Sequence, residues 1–187
     1  KHDKMKGLSN IDKIINIAKL KTHGMMVYTG AVKNLFGSVA GLEKTQYHFQ
    51  LSDYDEFADC IIDIFLANAP VFNIIDAVVG MHKEGPTAGE PYELKKILAS
   101  PDAFELDVIA TSMIKVDAMR VPVLKRAVER GLAEQNCEKI DAIGDSANKA
   151  GKDLEYFKKR LEEITSGMTS SSRNLVASIK ELKQEWI

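Results

Sequence analysis

Lys21, Thr29, Lys33 and Asn34, with His23 among them, fall within one short stretch, KLKTHGMMVYTGAVKNLFGSVAGLEK at residues 19–44. Lysines supply positive charge, Thr and Asn supply neutral hydrogen bonds, and His can move a proton near neutral pH. Together these are residue types that bind and process anions. Gly24 and Gly30 break the stretch, and the apolar run before it, residues 11–18, reads as a buried strand. Strand, glycine-punctuated loop and short helix is how α/β proteins present backbone N–H groups to a ligand. Lys33 is placed in the first turn of that helix, where a cation opposes the helix dipole by up to about 1 kcal/mol. Either Lys33 reaches out to water, or a bound anion reverses the sign of its interaction. The spacing G-x5-G-x2-K is not a triphosphate-binding loop, which requires GK followed by Ser or Thr.

His23 and His48 are the candidate general acid–base groups, and His82 is a candidate ligand contact. Three histidines with Asp residues in the chain suggest a metal, but no HExxH or comparable spacing supports one, and no metal ligand is assigned. Asp76 stands inside the apolar run VFNIIDAVV, residues 71–79, where an unpaired carboxylate is costly. Either it caps a loop N–H, or it orients a lysine or histidine of the site and so counts among the catalytic candidates.

Positioning these groups requires an ordered core, and the composition supplies one. The chain has 187 residues, of which 45% are apolar, enough for one globular domain with a tail. With 25 basic against 27 acidic residues the net charge is −2. No global basic field favours nucleic acid or an anionic membrane, so anion binding has to be local. No apolar run approaches the roughly 18 residues of a spanning helix. Cys60 and Cys137 lie far apart, in neither a disulfide framework nor a CxxC motif, which points to a reducing cytoplasm.

Residues 11–18, 71–79 and 138–143 read as buried strands, and residues 80–89 as a loop. Ser52 is a good helix N-cap, with Tyr54, Phe57, Ala58, Ile61, Ile64 and Phe65 at helical spacing on the sheet-facing side. Asp55, Asp59 and Asp63 make another stripe, read as a solvated face at Asp55 and Asp59, while Asp63, between Ile62 and Ile64, either faces solvent or meets a partner. Ser100-Pro101-Asp102 starts a helix running to about Lys115, and Pro122 starts another. Beyond residue 145 two amphipathic helices, carrying Leu154, Phe157, Leu161 and Ile164, then Leu175, Ile179 and Leu182, flank a polar connector. The expected fold is therefore α/β: a mainly parallel sheet with crossover helices on both faces over residues 1–145, plus a helical C-terminal tail over 146–187. Lys21, His23, His82 and Asp145 would then converge at the strand carboxyl ends. Phe57, Ile61, Phe65, Ile75, Val78, Phe104 and Val108 are the expected core.

The block KTHGMMVYTGAVKNLFG, followed by Gly41, Lys44 and His48, strongly resembles the uncharacterised family called domain of unknown function 362. FNIIDAVVGMHKEGPTAG resembles that family's second pattern, LASPDAFELDVIA a third with Asp102 and Asp107 in place, and PVLKRAVERGL with IDAIGD its closing segment. The resemblance implies an α/β domain in which Lys21, His23, Thr29, Lys33, Asn34 and His48 cluster functionally. Many relatives carry a ferredoxin-like segment with iron–sulfur clusters. Against that pattern the chain is expected to lack the strand–helix portion before Lys1 and any cysteine-rich segment. No cluster is expected on this chain alone, since two cysteines cannot supply four thiolates.

Two functions follow as expectations. The first is an anionic small molecule, phosphate- or carboxylate-bearing, held by Lys21 and Lys33, oriented by Thr29 and Asn34, with His23 or His48 moving a proton. The second is a redox-associated module that docks an iron–sulfur partner protein. A homo-oligomer that covers an exposed sheet edge fits either.

Overall fold

A computed structural model describes residues 11–41, 44, 47, 50–51 and 53–140. The tail helices, His48, Asp145 and residues 141–143 of the 138–143 strand lie outside the described residues. The elements in order are β1 (Ile15–His23), β2 (Val27–Thr29), α1 (Ala31–Asn34), α2 (Tyr54–Asn68), β3 (Phe72–His82), β4 (Glu90–Ser100), α3 (Ala103–Met113) and α4 (Pro122–Glu129). All of them belong to one unit that ends at Ile140.

The four strands form one mixed sheet in the order β2-β1-β3-β4. Only β1 and β3 run parallel, with Ile17 opposite Ile74 and Lys19 opposite Asp76. β1 pairs antiparallel with β2, and β3 antiparallel with β4. The expectation of a mainly parallel sheet is corrected here, and connection length is the reason. A parallel return needs a crossover of a dozen or more residues, which only α1 and α2 between β1 and β3 provide. The turns at 24–26 and 83–89 are too short for anything but hairpins. Both strands also run further than the sequence reading: β1 continues through Lys19–His23, and β3 through Gly80, Met81 and His82 into the segment read as a loop. Gly80 belongs in a strand because a Cβ there would crowd Leu20, whose side chain would lie 3.1 Å away. Residues Cys137–Lys139 form a 3-10 turn capped by Asn136, not the start of a strand.

Burial alternates along β1: Asn16, Ala18 and Leu20 are buried, while Ile17 and Lys19 are exposed. Ala18, Leu20, Ile75 and Ala77 join the helices in one core. Ile17 (46% exposed) and Ile97 (56%) mark a face left open among the described residues, where the sequence reading placed helices on both sides.

The helices follow their sequence signals closely. α2 is capped by Asp53 rather than Ser52, its carboxylate accepting the N–H groups of Asp55 and Glu56. α3 is capped by Asp102, not Ser100. Phe57 and Ile61 are fully buried, Phe36 meets Phe57 edge-on at 5.3 Å, and Phe65 meets Phe104 at 5.2 Å. Val78 is only partly buried and Tyr54, at the first turn of α2, is exposed. The acidic stripe of α2 is an interface with α4. Asp55 pairs with Lys125 at 2.7 Å, Asp59 with Arg126 at 2.8 Å and Asp63 with Arg130 at 2.7 Å. Burial pushes the Asp59 carboxyl up, and Arg126 and Arg130 outweigh it and hold it below the usual range.

Truncating Phe65 to Ala removes one half of the pair that joins α2 to α3, and the expected cost is about 3–5 kcal/mol. Urea unfolding of the variant checks this; a loss under about 1 kcal/mol would mean that the ring fills no real gap between the helices.

Candidate functional site

The turn from β2 into α1 is built around one buried carboxylate. Asp107 sits in the apolar helix α3 at 2% exposure. Its Oδ1 accepts the Ala31 N–H at 2.7 Å and the Tyr28 hydroxyl at 3.0 Å, and its Oδ2 accepts the Val32 N–H at 2.9 Å. The sequence places an anion at this helix start, and the structure supplies it from within the chain. Those two N–H groups are therefore engaged. Burial pushes the Asp107 carboxyl up to about 6, against the lowering effect of its three hydrogen bonds. Tyr28 is raised well above its ordinary value, by burial first and then by the Asp107 charge, so it stays a phenol and donates. Gly30 makes the approach possible: a Cβ there would overlap both the Tyr28 hydroxyl and Asp107 Oδ1.

A second set of polar groups, buried at Asn16 and Asn73 and exposed at Asn34, fixes α1 onto the sheet. Asn16 donates to the Ala31 carbonyl at 2.8 Å and to Asn73 Oδ1 at 2.9 Å. Asn34 donates to Asn16 Oδ1 at 2.8 Å and to the Ile17 carbonyl at 3.1 Å. The Asn34 amide is thus spent on holding α1 against β1.

Next to these braces stand three lysines. Lys33 is half-buried in α1, and its Nζ lies 5.8 Å from the centre of the Phe36 ring. Lys44 approaches the same ring at 5.6 Å. Loss of water lowers Lys33 to about 8, with the charges of Lys44 and then Lys21 adding to the effect. Lys21 lies directly across the β1–β2 ladder from Thr29. The Thr29 hydroxyl is buried and has no hydrogen-bond partner among the described residues. Lys21 also borders a shallow depression of about 340 Å³, with Lys19, Val79, Gly80, Met81, Gly89 and Pro91.

The other sequence candidates occupy different places. His23 closes the β1–β2 turn, its Nδ1 accepting the N–H groups of Met25 and Met26, both at 3.2 Å. Asp76 pairs with Lys19, which is not one of the site lysines, at 2.8 Å and accepts the N–H of Val78, within β3 rather than a loop, at 3.0 Å. His82, at the end of β3, lies 3.8 Å from Glu90 and 5.4 Å from the Tyr92 ring. Because β1 and β3 are parallel, Lys21 is opposite Met81, so Lys21, His23 and His82 do share one end of the sheet. Asp107, Tyr28 and Lys44 were not read as site residues. A carboxylate inside the apolar run of α3 was the available signal for Asp107.

Among the described residues no three His, Cys, Asp or Glu side chains gather to hold a metal ion, and no helix is long and apolar enough to cross a membrane. No solved structure matches the chain. A curated relative, the thylakoid-associated protein sll1697 of Synechocystis sp., is 34% identical over 122 residues, covering 65% of this chain and 38% of the relative. The chain thus matches well under half of that relative's length. Residues 3–112 match the family described as Domain of unknown function (DUF362), more than half of the chain. The strand–turn–helix unit that carries Lys21, Gly30 and Lys33, together with the braces Asp76 and Asp107, lies inside the matched region, and the chain belongs to the DUF362 family.

Proposed function

We propose that Lys21, Lys33 and Lys44 bind an anionic small molecule, phosphate- or carboxylate-bearing, whose body lies along the depression beside Lys21. One observation carries this reading. In a chain with more acids than bases, the charges of Lys44 and Lys21 both bear on Lys33, and none of the three has a carboxylate partner among the described residues. Elsewhere Lys19, Lys83, Lys125, Arg126 and Arg130 each face an acid. Like charges held together cost stability, and a bound anion removes that cost. The partnerless Thr29 hydroxyl beside Lys21 adds a neutral donor. Asn34 and the α1 N–H groups act one step back, fixing where Lys33 stands, and His23, two residues along β1 from Lys21, is a candidate for proton transfer. Two free thiols fit a reducing compartment such as the cytoplasm.

Titrating sulfate against the wild type, Lys33→Ala and Lys33→Glu tests the reading. Lys33→Ala should weaken binding several-fold and Lys33→Glu should abolish it, with thermal unfolding little changed. Equal affinities for all three proteins, or no binding by any, would sink the proposal.

A second reading has its own observation. The open sheet face exposes Ile17, Val79 and Ile97, a surface suited to docking an iron–sulfur partner protein or another copy of the chain. Failure of sulfate binding together with a stable complex on this face would favour it.

A further inference from the structure

We propose that the open face of the sheet pairs with the same face of a second copy of the chain, an inference that rests on the docking reading of that face. Residues directly opposite one another in a sheet point to the same side. Lys19, Asp76 and Ile97 therefore form one row across β1, β3 and β4, and Lys21, Met81 and Pro91 form another. Val79 and Glu93 face each other between those rows. Lys19, Lys21, Val79, Met81 and Pro91 border one shallow depression, so the rows share a face across the register shifts. That face carries cations on β1, a carboxylate on β4 and apolar side chains between them. Lys19 and Asp76 offset each other at 2.8 Å, whereas the Glu93 side chain stays 65% exposed although Lys95 lies 3.4 Å away.

A two-fold axis over β3, between two such faces and parallel to the strands, sets β1 of each copy over β4 of the other. Along β3, Val79 falls between Asp76 and Met81, so Glu93 is level with the span from Lys19 to Lys21. Each Glu93 then meets the lysines of the other copy, and the contact occurs twice. Packed sheets stand about 10 Å apart, a gap that Lys and Glu side chains span from both sides. Exposed Val79 lies near the axis against its counterpart, and Ile97 comes over Lys19 beside Ile17 of the other copy. A different partner would have to supply both signs of charge in this order, whereas a second copy does so by symmetry. The sheet edges are poorer meeting places. β2 has three residues, and β4 carries Pro91 and the left-handed Lys95, features that block strand pairing.

Light scattering from about 1 µM to about 1 mM protein provides the test, and wild type should form a dimer within that range. Lys21→Glu alone and Glu93→Lys alone should each weaken the dimer roughly a hundredfold, about tenfold for each of the two like-charge contacts. Mixed in equal amounts, the two variants should recover wild-type dimerisation, because each reversed charge then meets its opposite in the other chain. That recovery also shows that both variants fold. Single variants that dimerise like wild type, or a mixture that stays monomeric, would overturn the pairing. A wild type that is monomeric throughout would overturn it too. In that case a two-cluster ferredoxin, bound by wild type and lost with Ile97→Glu, would leave the docking reading standing, and no binding would end that reading as well.

Discussion

Asp107→Asn should destabilise the protein by about 2 kcal/mol at pH 7.5, and the deficit should widen as the pH falls toward 5. Three buried donors, the N–H groups of Ala31 and Val32 and the Tyr28 hydroxyl, converge on this carboxylate. An amide offers one acceptor oxygen and turns two N–H donors toward groups that also donate. Leaving a buried donor unmatched costs about 1–3 kcal/mol. The pH dependence follows from burial. The folded carboxyl is raised from 3.8 to about 6, so its neutral form is favoured in the fold. Its contribution to stability is fully present below 3.8 and is lost as the pH rises through 6. The shift corresponds to about 3 kcal/mol between those limits. Asn cannot titrate, so the variant lacks this slope while sharing every other one, including the opposite slope from Asp59. Urea unfolding of both proteins at pH 7.5, 6 and 5 measures the difference. A deficit that shrinks toward pH 5, or no deficit at all, would mean that the node does not hold α1 in place. Gly30→Ala should fall in the same range, because its methyl would displace the carboxylate. The double variant should cost less than the sum, as expected for residues that share one interaction.

What the sequence made legible, and what it hid, follows from interaction range. α2, α3 and α4 could be read because caps and helical spacing are local: Asp53 and Asp102 bond to N–H groups two and three residues ahead. Even there the cap moved by one or two residues, since carboxylates took the role assigned to Ser52 and Ser100. β4 escaped notice because EPYELKKILAS has no clean alternation. Lys96 stands between Leu94 and Leu98 at the partly buried positions and interrupts the apolar series, and Lys95 adopts φ 56° where the register with β3 shifts between Ala77 and Val79. β2 is three residues long and begins at Val27 with φ 62°, a strand formed by its turn rather than by its own residues. The site was half legible. Residue type and spacing marked Lys21 and Lys33, but whether a charge has a partner is decided in three dimensions. The same blindness made the acids of α2 look solvated when α4 neutralises them, and made the N–H groups of α1 look free when Asp107, 75 residues on from Val32, already occupies them.

Sulfate affinity should be nearly constant below pH 8 and should fall as the pH rises above it, approaching tenfold per unit. Sulfate keeps its charge throughout this range, so any change belongs to the protein. In the free protein Lys33 gives up its proton at about 8, because burial and the nearby Lys44 and Lys21 disfavour the ammonium form. An anion favours that form, so above pH 8 each binding event must take up one proton, and the linkage limits the slope to one decade per pH unit. Sulfate should also raise the unfolding temperature below pH 8 by mass action and lose this effect above it. Lys33→Arg gives the decisive contrast. A guanidinium stays charged far above this range, so the variant should bind sulfate with little pH dependence from 7 to 9.5. If Lys33 stands outside the anion's reach, wild type and Lys33→Arg will follow the same curve.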